Sequence, residues 1–183
     1  MTRRAAAAVA LSLLLAGGGT AAADGPPPFS PDAYFAGVTR AAGTMTDGFG
    51  RPTSRFTGTT RGRRERDGST SFDQVIRFDD GTVRSRTWRI VRTGRNSVEA
   101  TGTDLVGVAR GELEGRTLRL RSTVRVDPDN PLSDVDFEQV MTLAADGRAL
   151  DNSSTIRKFG LVVRRAEERF VRAGRRDPRS GAR

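Results

Sequence analysis

From about Gly43 onward, apolar and polar residues alternate with a period of two, and residues that tolerate a positive φ angle recur every eight to twelve positions or so. The reversals fall at Arg66-Asp67-Gly68, Asp79-Asp80-Gly81, Gly94-Arg95-Asn96, Glu114-Gly115 and Asp146-Gly147. Between them, Phe72, Gln74, Ile76 and Phe78 share one face of a strand. Leu118, Leu120, Ser122, Val124 and Val126 form a second face, and Val135, Phe137, Gln139, Met141 and Leu143 a third. Opposite the second face stand Arg119, Arg121, Thr123 and Arg125, and the following strand offers Asp136 and Glu138, so cross-strand ion pairs are expected. No helical period of normal length separates the turns, which excludes parallel β-α-β units. A single antiparallel all-β meander follows, a sandwich or a β-barrel, of which the barrel leaves no sticky edge.

The two ends of the chain read differently. Residues 1–23 have Arg3 and Arg4, an apolar run from Ala5 to Ala16 and the sequence Ala21-Ala22-Ala23, the pattern of a signal peptide cleaved between Ala23 and Asp24. The apolar run is too short to span a bilayer, so a periplasmic protein is expected. Residues 24–33 read as a linker, in which Ser30-Pro31-Asp32 starts a short helix carrying Tyr34 and Phe35. The barrel domain is placed at 34–172. Within it, Leu161 to Arg172 is ambiguous: Val162, Ala166 and Phe170 make a helical stripe, while the flanks permit a final strand. Residues 173–183 read as a disordered basic tail.

Composition narrows the chemistry. The chain has neither cysteine nor histidine, which removes disulfides, thiolate nucleophiles, imidazole-based triads, most zinc sites and the lipid-modified cysteine of an exported lipoprotein. No pair of carboxylates stands in a recognisable catalytic spacing, so a non-enzymatic protein with no catalytic residues and no cofactor is expected. Removing the leader's two arginines leaves 29 basic against 22 acidic residues, a net charge of +7. Lys158 is the sole lysine, so this charge is almost all guanidinium, suited to bidentate contact with phosphate or carboxylate. In an exported protein the available anions are lipid head groups and acidic proteins, with nucleic acid not expected as a partner.

Two segments imitate known sites. Gly102 to Gly115, "GTDLVGVARGELEG", lacks the lysine and hydroxyl residue that must follow a phosphate loop, since Val108 and Ala109 come after Gly107. Its glycines instead suit the coiling of a small barrel, with Gly107, Ala109 and Gly111 on one face making room for Trp88 or for a ligand. The run "DPDNPLSDVDFE" begins like a calcium loop, but Pro131 stands where a ligand is needed and Leu132 where glycine turns the chain. A proline-rich hairpin loop is expected there, and no metal site.

The pieces "YFAGVTRAAG" at 34–43, "DGTVRSRTWRI" at 80–90, "GTDLVGVARGELEG", and "LDNSSTIRKFG" at 150–160 together resemble a bacterial envelope family, domain of unknown function 3833. The resemblance spans about Tyr34 to Arg172. It implies a lipocalin-like barrel and a closing strand after Lys158-Phe159-Gly160. Glu167 and Glu168 stand where that family's strand is apolar, which leaves a helix open. Aromatic residues of the family pattern are replaced here by Leu118, Leu120, Glu138 and Gln139.

The function expected is binding of a small apolar or amphipathic, lipid-like molecule in the periplasm. Phe72, Phe78, Trp88, Gly107, Ala109 and Phe137 would line the site, with Gln139 and Asn152 as polar anchors. This reading requires a hollow barrel with a cavity of a few hundred cubic ångströms. A second reading is an interaction module whose arginines at 61–66, 84–92 and 119–125 engage anionic lipid head groups or an acidic partner, with salt weakening the contact. A third, an enzyme built on carboxylates, requires an acid pair facing each other across a cleft.

Overall fold

The computed structural model describes residues 28–173; the signal peptide expected at 1–23 and all but the first residue of the tail expected at 173–183 lie outside the described residues. Helix α1, Pro31–Tyr34, precedes ten strands: β1 Gly37–Asp47, β2 Pro52–Arg64, β3 Thr70–Phe78, β4 Val83–Arg92, β5 Ser97–Gly102, β6 Ala109–Glu114, β7 Thr117–Arg125, β8 Asp134–Leu143, β9 Ala149–Lys158 and β10 Leu161–Arg172. Each strand pairs antiparallel with the next, and β10 pairs antiparallel with β1, so the meander closes into a barrel without free edges.

All five reversals expected from the sequence join neighbouring strands. The expected faces also point inward, with Leu118, Leu120, Met141 and Leu143 buried. On the outer surface Arg121 reaches Glu138 at 3.5 Å and Thr123 donates to Asp136 at 2.9 Å. Such exposed pairs are worth at most about 1 kcal/mol each and fix register more than stability.

Three strands were less visible in the sequence. The inward positions of β1 and β2 are Thr39, Ala41, Gly43, Phe56, Gly58, Thr60 and Gly62, which carry little apolar alternation. Small residues are needed there because the walls approach closely: a Cβ on Gly43 would lie 2.6 Å from the Glu167 carbonyl oxygen. Residues 161–172 form a strand, as the family resemblance implies, and not the helix their stripe allowed. Closure of the barrel decides this, since β10 completes the hydrogen bonding of both β1 and β9.

The boundary between linker and domain moves toward the N-terminus. Phe29, Pro31 and Asp32 are buried and belong to the folded unit. Phe35 stacks on Phe72 at 5.3 Å between centroids and meets Phe170 edge-on at 5.6 Å. The Tyr34 hydroxyl donates to the Arg148 carbonyl at 2.9 Å, and burial pushes its pKa up to about 12, so it remains a donor at ordinary pH. These rings plug one end of the barrel. Asp32 ties the plug to the rim, accepting from Ser30 Oγ at 2.6 Å and pairing with Arg64 at 3.2 Å and Arg92 at 3.8 Å. The opposite end carries the β1–β2, β3–β4, β5–β6, β7–β8 and β9–β10 connections and has no such plug among the described residues.

Candidate functional site

Halfway along the barrel the inward positions turn polar. Gln74 on β3, Arg86 on β4, Gln139 on β8, Asn152 and Ser154 on β9, and Glu168 on β10 form a belt around the interior. Their inward aim follows from strand alternation: Glu168 lies between Ala166 and the buried Phe170 in period two, opposite Asn152.

One side of the belt is internally satisfied. Arg86 Nε donates to Gln74 Oε1 at 2.6 Å, and its Nη1 lies 3.4 Å from Asp104 Oδ2. Asp104 also accepts from Trp88 Nε1 at 2.8 Å, while the guanidinium sits 5.1 Å above the Trp88 ring. Arg86 is thereby held flat across the barrel by two acceptors and an aromatic face.

The other side is not satisfied. Asn152 Nδ2 makes 3.4 Å contacts to Glu168 Oε2 and Ser154 Oγ. Asn152 Oδ1 and Glu168 Oε1 are shielded from solvent with no partner. Burial pushes the Glu168 carboxyl up to about 7, against the opposing pull of Arg86 and the Asn152 hydrogen bond. Buried polar atoms without partners are uncommon and costly, of order 1–3 kcal/mol each, and here two of them stand at one place.

Between belt and plug lies a cavity of about 40 Å³, bounded by Phe35, Phe72, Trp88, Gln74, Arg86 and Glu168 among others. At roughly 10–15 Å³ for each water this holds about three. The cavity of a few hundred cubic ångströms that the ligand-binding reading of the sequence requires is therefore not present between belt and plug, and a ligand reaching the belt needs side chains to move. Rings of Phe35, Phe72 and Trp88, in the half nearest the plug, occupy the space a hollow barrel would leave.

The residues singled out in the sequence fall in four places. Phe72, Trp88 and Gln139 border the cavity, and Asn152 stands beside it in the belt. Phe78 and Phe137 also face inward, but nearer the open end, where they are half-buried and Phe78 meets Phe56 at 5.7 Å. Ala109 is buried in the wall. Gly107 does not line the interior. It is exposed in the β5–β6 loop with φ +78°, because the strand ends at Gly102 and the left-handed turn breaks the alternation. Gly102 supplies the room for Trp88 that was expected of Gly107, since a Cβ there would sit 2.7 Å from Trp88 Cδ1.

Sequence reasoning missed Glu168, Asp104 and Phe35 as site residues, and counted Arg86 only among the arginines of the second reading. Glu168 became legible only as part of a closing strand, where alternation with Phe170 sets its face. The acidic run from Asp127 forms the β7–β8 connection, where Asn130 Oδ1 accepts from Leu132 N at 3.0 Å at the start of a single 3-10 turn, Pro131–Ser133. The arginines of the second reading are largely engaged within the fold: Arg63, Arg64, Arg86, Arg89, Arg92, Arg121 and Arg125 each have a carboxylate partner.

The barrel is similar to the S-type phycobiliprotein lyase CPES of Guillardia theta, with a TM-score of 0.60, 11% identity, and coverage of 81% of this chain and 95% of that one. It is also similar to a protein of unknown function from the DUF3598 family of Nostoc punctiforme, with a TM-score of 0.54, 12% identity, and coverage of 81% and 51%. At such identities the likeness concerns the fold alone. No curated protein matches the chain. The profile described as "Protein of unknown function (DUF3833)" matches residues 18–169, most of the sequence, and the chain belongs to that family.

Proposed function

We propose that this chain is an exported, non-enzymatic binding protein that takes one small amphipathic molecule through the open end of the barrel. The polar group reaches the belt and the apolar part rests in the mouth, against the half-buried Ile76, Phe78 and Phe137. The observation that carries this reading is the pair of unpartnered buried acceptors, Glu168 Oε1 and Asn152 Oδ1, beside a small void below that mouth. With its carboxyl raised to about 7, Glu168 donates when protonated and accepts when ionised, while Asn152 Oδ1 only accepts, so the fitting head group carries hydroxyl or amide groups able to donate and accept. Room is made by swinging Arg86 away from Gln74 and Asp104, a motion along the barrel axis toward the open end. Export is supported by the leader, and the absence of a catalytic role by the lack of histidine, of cysteine and of a catalytic carboxylate spacing in the sequence.

Native mass spectrometry tests the reading, combined with titration of Trp88 fluorescence by a single-chain monoacylglycerol. One molecule should bind per chain and shift the emission, because Trp88 sits directly beneath Arg86. Glu168→Leu should abolish the shift, since it removes the acceptor while keeping the volume. Protein that carries no adduct and shows no response to the monoacylglycerol would refute the proposal.

A further inference from the structure

The two ends of the barrel differ in their exposed apolar residues. Of the eleven large apolar side chains exposed among the described residues, nine lie on connections or strand ends at the open end: Phe49, Val83, Val106, Val108, Val126, Leu132, Phe159, Leu161 and Val163. Three of the most exposed, Phe49 at 91%, Phe159 at 86% and Leu161 at 72%, sit on two neighbouring hairpin tips, β1–β2 and β9–β10. These tips are braced against each other: Arg165 Nη1 donates to the Gly48 carbonyl at 3.0 Å and Arg164 Nη1 to Thr53 Oγ1 at 3.2 Å.

Phe159 is the more telling of the two rings. Its φ is +51°, and it is the one residue other than glycine with a positive φ among those described. With Gly160 at +80° it forms a two-residue turn positive at both positions, where asparagine followed by glycine is the favoured pair. A bulky side chain is disfavoured in this region, and the ring packs on no core residue that would compensate. Its one aromatic contact is with Lys158, whose Nζ lies 5.5 Å from the ring centroid and donates to the Leu132 carbonyl.

The same sector is cationic. Arg51, Lys158, Arg164 and Arg165 surround the two tips, and none is in an ion pair among the described residues. Of the acids nearest them in sequence, Asp47 is spent inside its own turn, accepting from the Phe49 and Arg51 amides at 2.9 Å each, and Glu167 accepts from Ser153 Oγ at 2.7 Å. Asp79 and Asp80 lie on the β3–β4 connection, and Asp127 and Asp129 on the β7–β8 connection, which Lys158 reaches at the Leu132 carbonyl; Asp134, paired with Arg125, also feels the Lys158 charge. Exposed aromatic and aliphatic tips among unpaired cations match the layering of an anionic bilayer, with phosphates outside and acyl chains within.

From this we propose that the β1–β2 and β9–β10 tips dock the barrel, open end down, on an anionic phospholipid bilayer. Phe49, Phe159 and Leu161 enter the interface, while Arg51, Lys158, Arg164 and Arg165 take lipid phosphates. The proposal does not depend on occupancy of the interior, and it uses cations other than those at 61–66, 84–92 and 119–125.

Co-sedimentation with vesicles tests it, using protein expressed from Asp24 onward so that the apolar leader is absent and every described residue is kept. Wild type should bind phosphatidylglycerol vesicles, bind phosphatidylcholine vesicles far more weakly, and lose affinity as salt rises. The double variant Phe49→Ser and Phe159→Asn should bind about tenfold or more weakly, with unfolding no easier than wild type at the β9–β10 turn because asparagine suits that φ. Arg51→Gln with Lys158→Gln should weaken binding by on the order of tenfold. Failure of wild type to bind phosphatidylglycerol, or unchanged binding by the folded double aromatic variant, would overturn the proposal. Equal binding to soluble polyglutamate regardless of the aromatic changes would overturn it too, pointing to an acidic protein as the occupant.

Discussion

At the plugged end of the barrel, Phe29, Tyr34 and Phe35 turn their rings inward, and each is less than a tenth exposed. At the open end, Phe49 and Phe159 turn theirs into solvent. The same residue type thus does opposite work about one barrel length apart. At the first end it fills volume between strands that converge on a helix with tied-down backbone. At the second it stands on hairpin tips with nothing behind it, beside cations with no ion partner. Buried aromatic packing is concentrated at one end and exposed aromatic surface at the other, with the polar belt between them.

The largest effect expected from breaking this contrast is at Phe35. Phe35→Ala removes stacking on Phe72 and the edge contact with Phe170, and should cost about 3–5 kcal/mol in chemical denaturation. A loss below about 1 kcal/mol would mean that the plug is not part of the core.

Glu168 comes next, at the boundary between the two halves. Its carboxyl is raised from 4.5 to about 7 in the fold, so the native state holds its proton more tightly than the unfolded chain. The stability tied to that proton is fully present below pH 4.5 and falls as pH rises toward about 7. The decline should reach at most about 3 kcal/mol. Glu168→Gln should remove it, which is measured by subtracting the variant's denaturation free energy from that of wild type across the pH series. A difference that stays flat from pH 4 to 8 would show that the carboxyl is solvated.

A smaller effect separates two glycines of one stretch. Gly102→Ala drives a methyl into Trp88 and toward the Thr87 carbonyl, 3.1 Å away, and should cost about 1–3 kcal/mol while shifting Trp88 emission. Gly107→Ala, in the open-end loop at φ +78°, should cost about 1 kcal/mol through backbone strain alone and leave that emission unchanged. Equal spectral shifts for both would place Gly107 against the tryptophan after all.

The smallest effect has the opposite sign. Phe159→Asn should raise the thermal midpoint slightly, by on the order of 0.5 kcal/mol in stability, because asparagine tolerates the left-handed region that phenylalanine strains. A clear destabilisation would mean that the ring supports the fold at the open end as Phe35 does at the other.

The strands from β3 to β9 were legible because their inward positions are large and apolar and their turns carry Asp-Gly, Arg-Asn or Glu-Gly signals. β1 and β2 were faint because inward glycines, alanine and threonines leave no hydrophobic period, though they are what lets β10 approach. Phe72, Trp88, Gln139 and Asn152 could be assigned to the interior from alternation alone. Glu168 could not, because two adjacent acids look like a solvated break until the strand carrying them is known to be the last stave. Gly107 was misplaced because the alternation was extended past the end of β5.

The sequence by itself determined the class of fold and the absence of imidazole and thiol chemistry. Period-two patterning and turn residues act locally, and missing side-chain types are missing wherever the chain goes. Only the tertiary structure decided that β10 closes on β1, that the cavity between belt and plug is about 40 Å³, and that Glu168 and Asn152 share an unsatisfied corner. These depend on which residues from distant strands meet in a ring of fixed circumference. A single strand's pattern carries no information about what stands across the barrel from it.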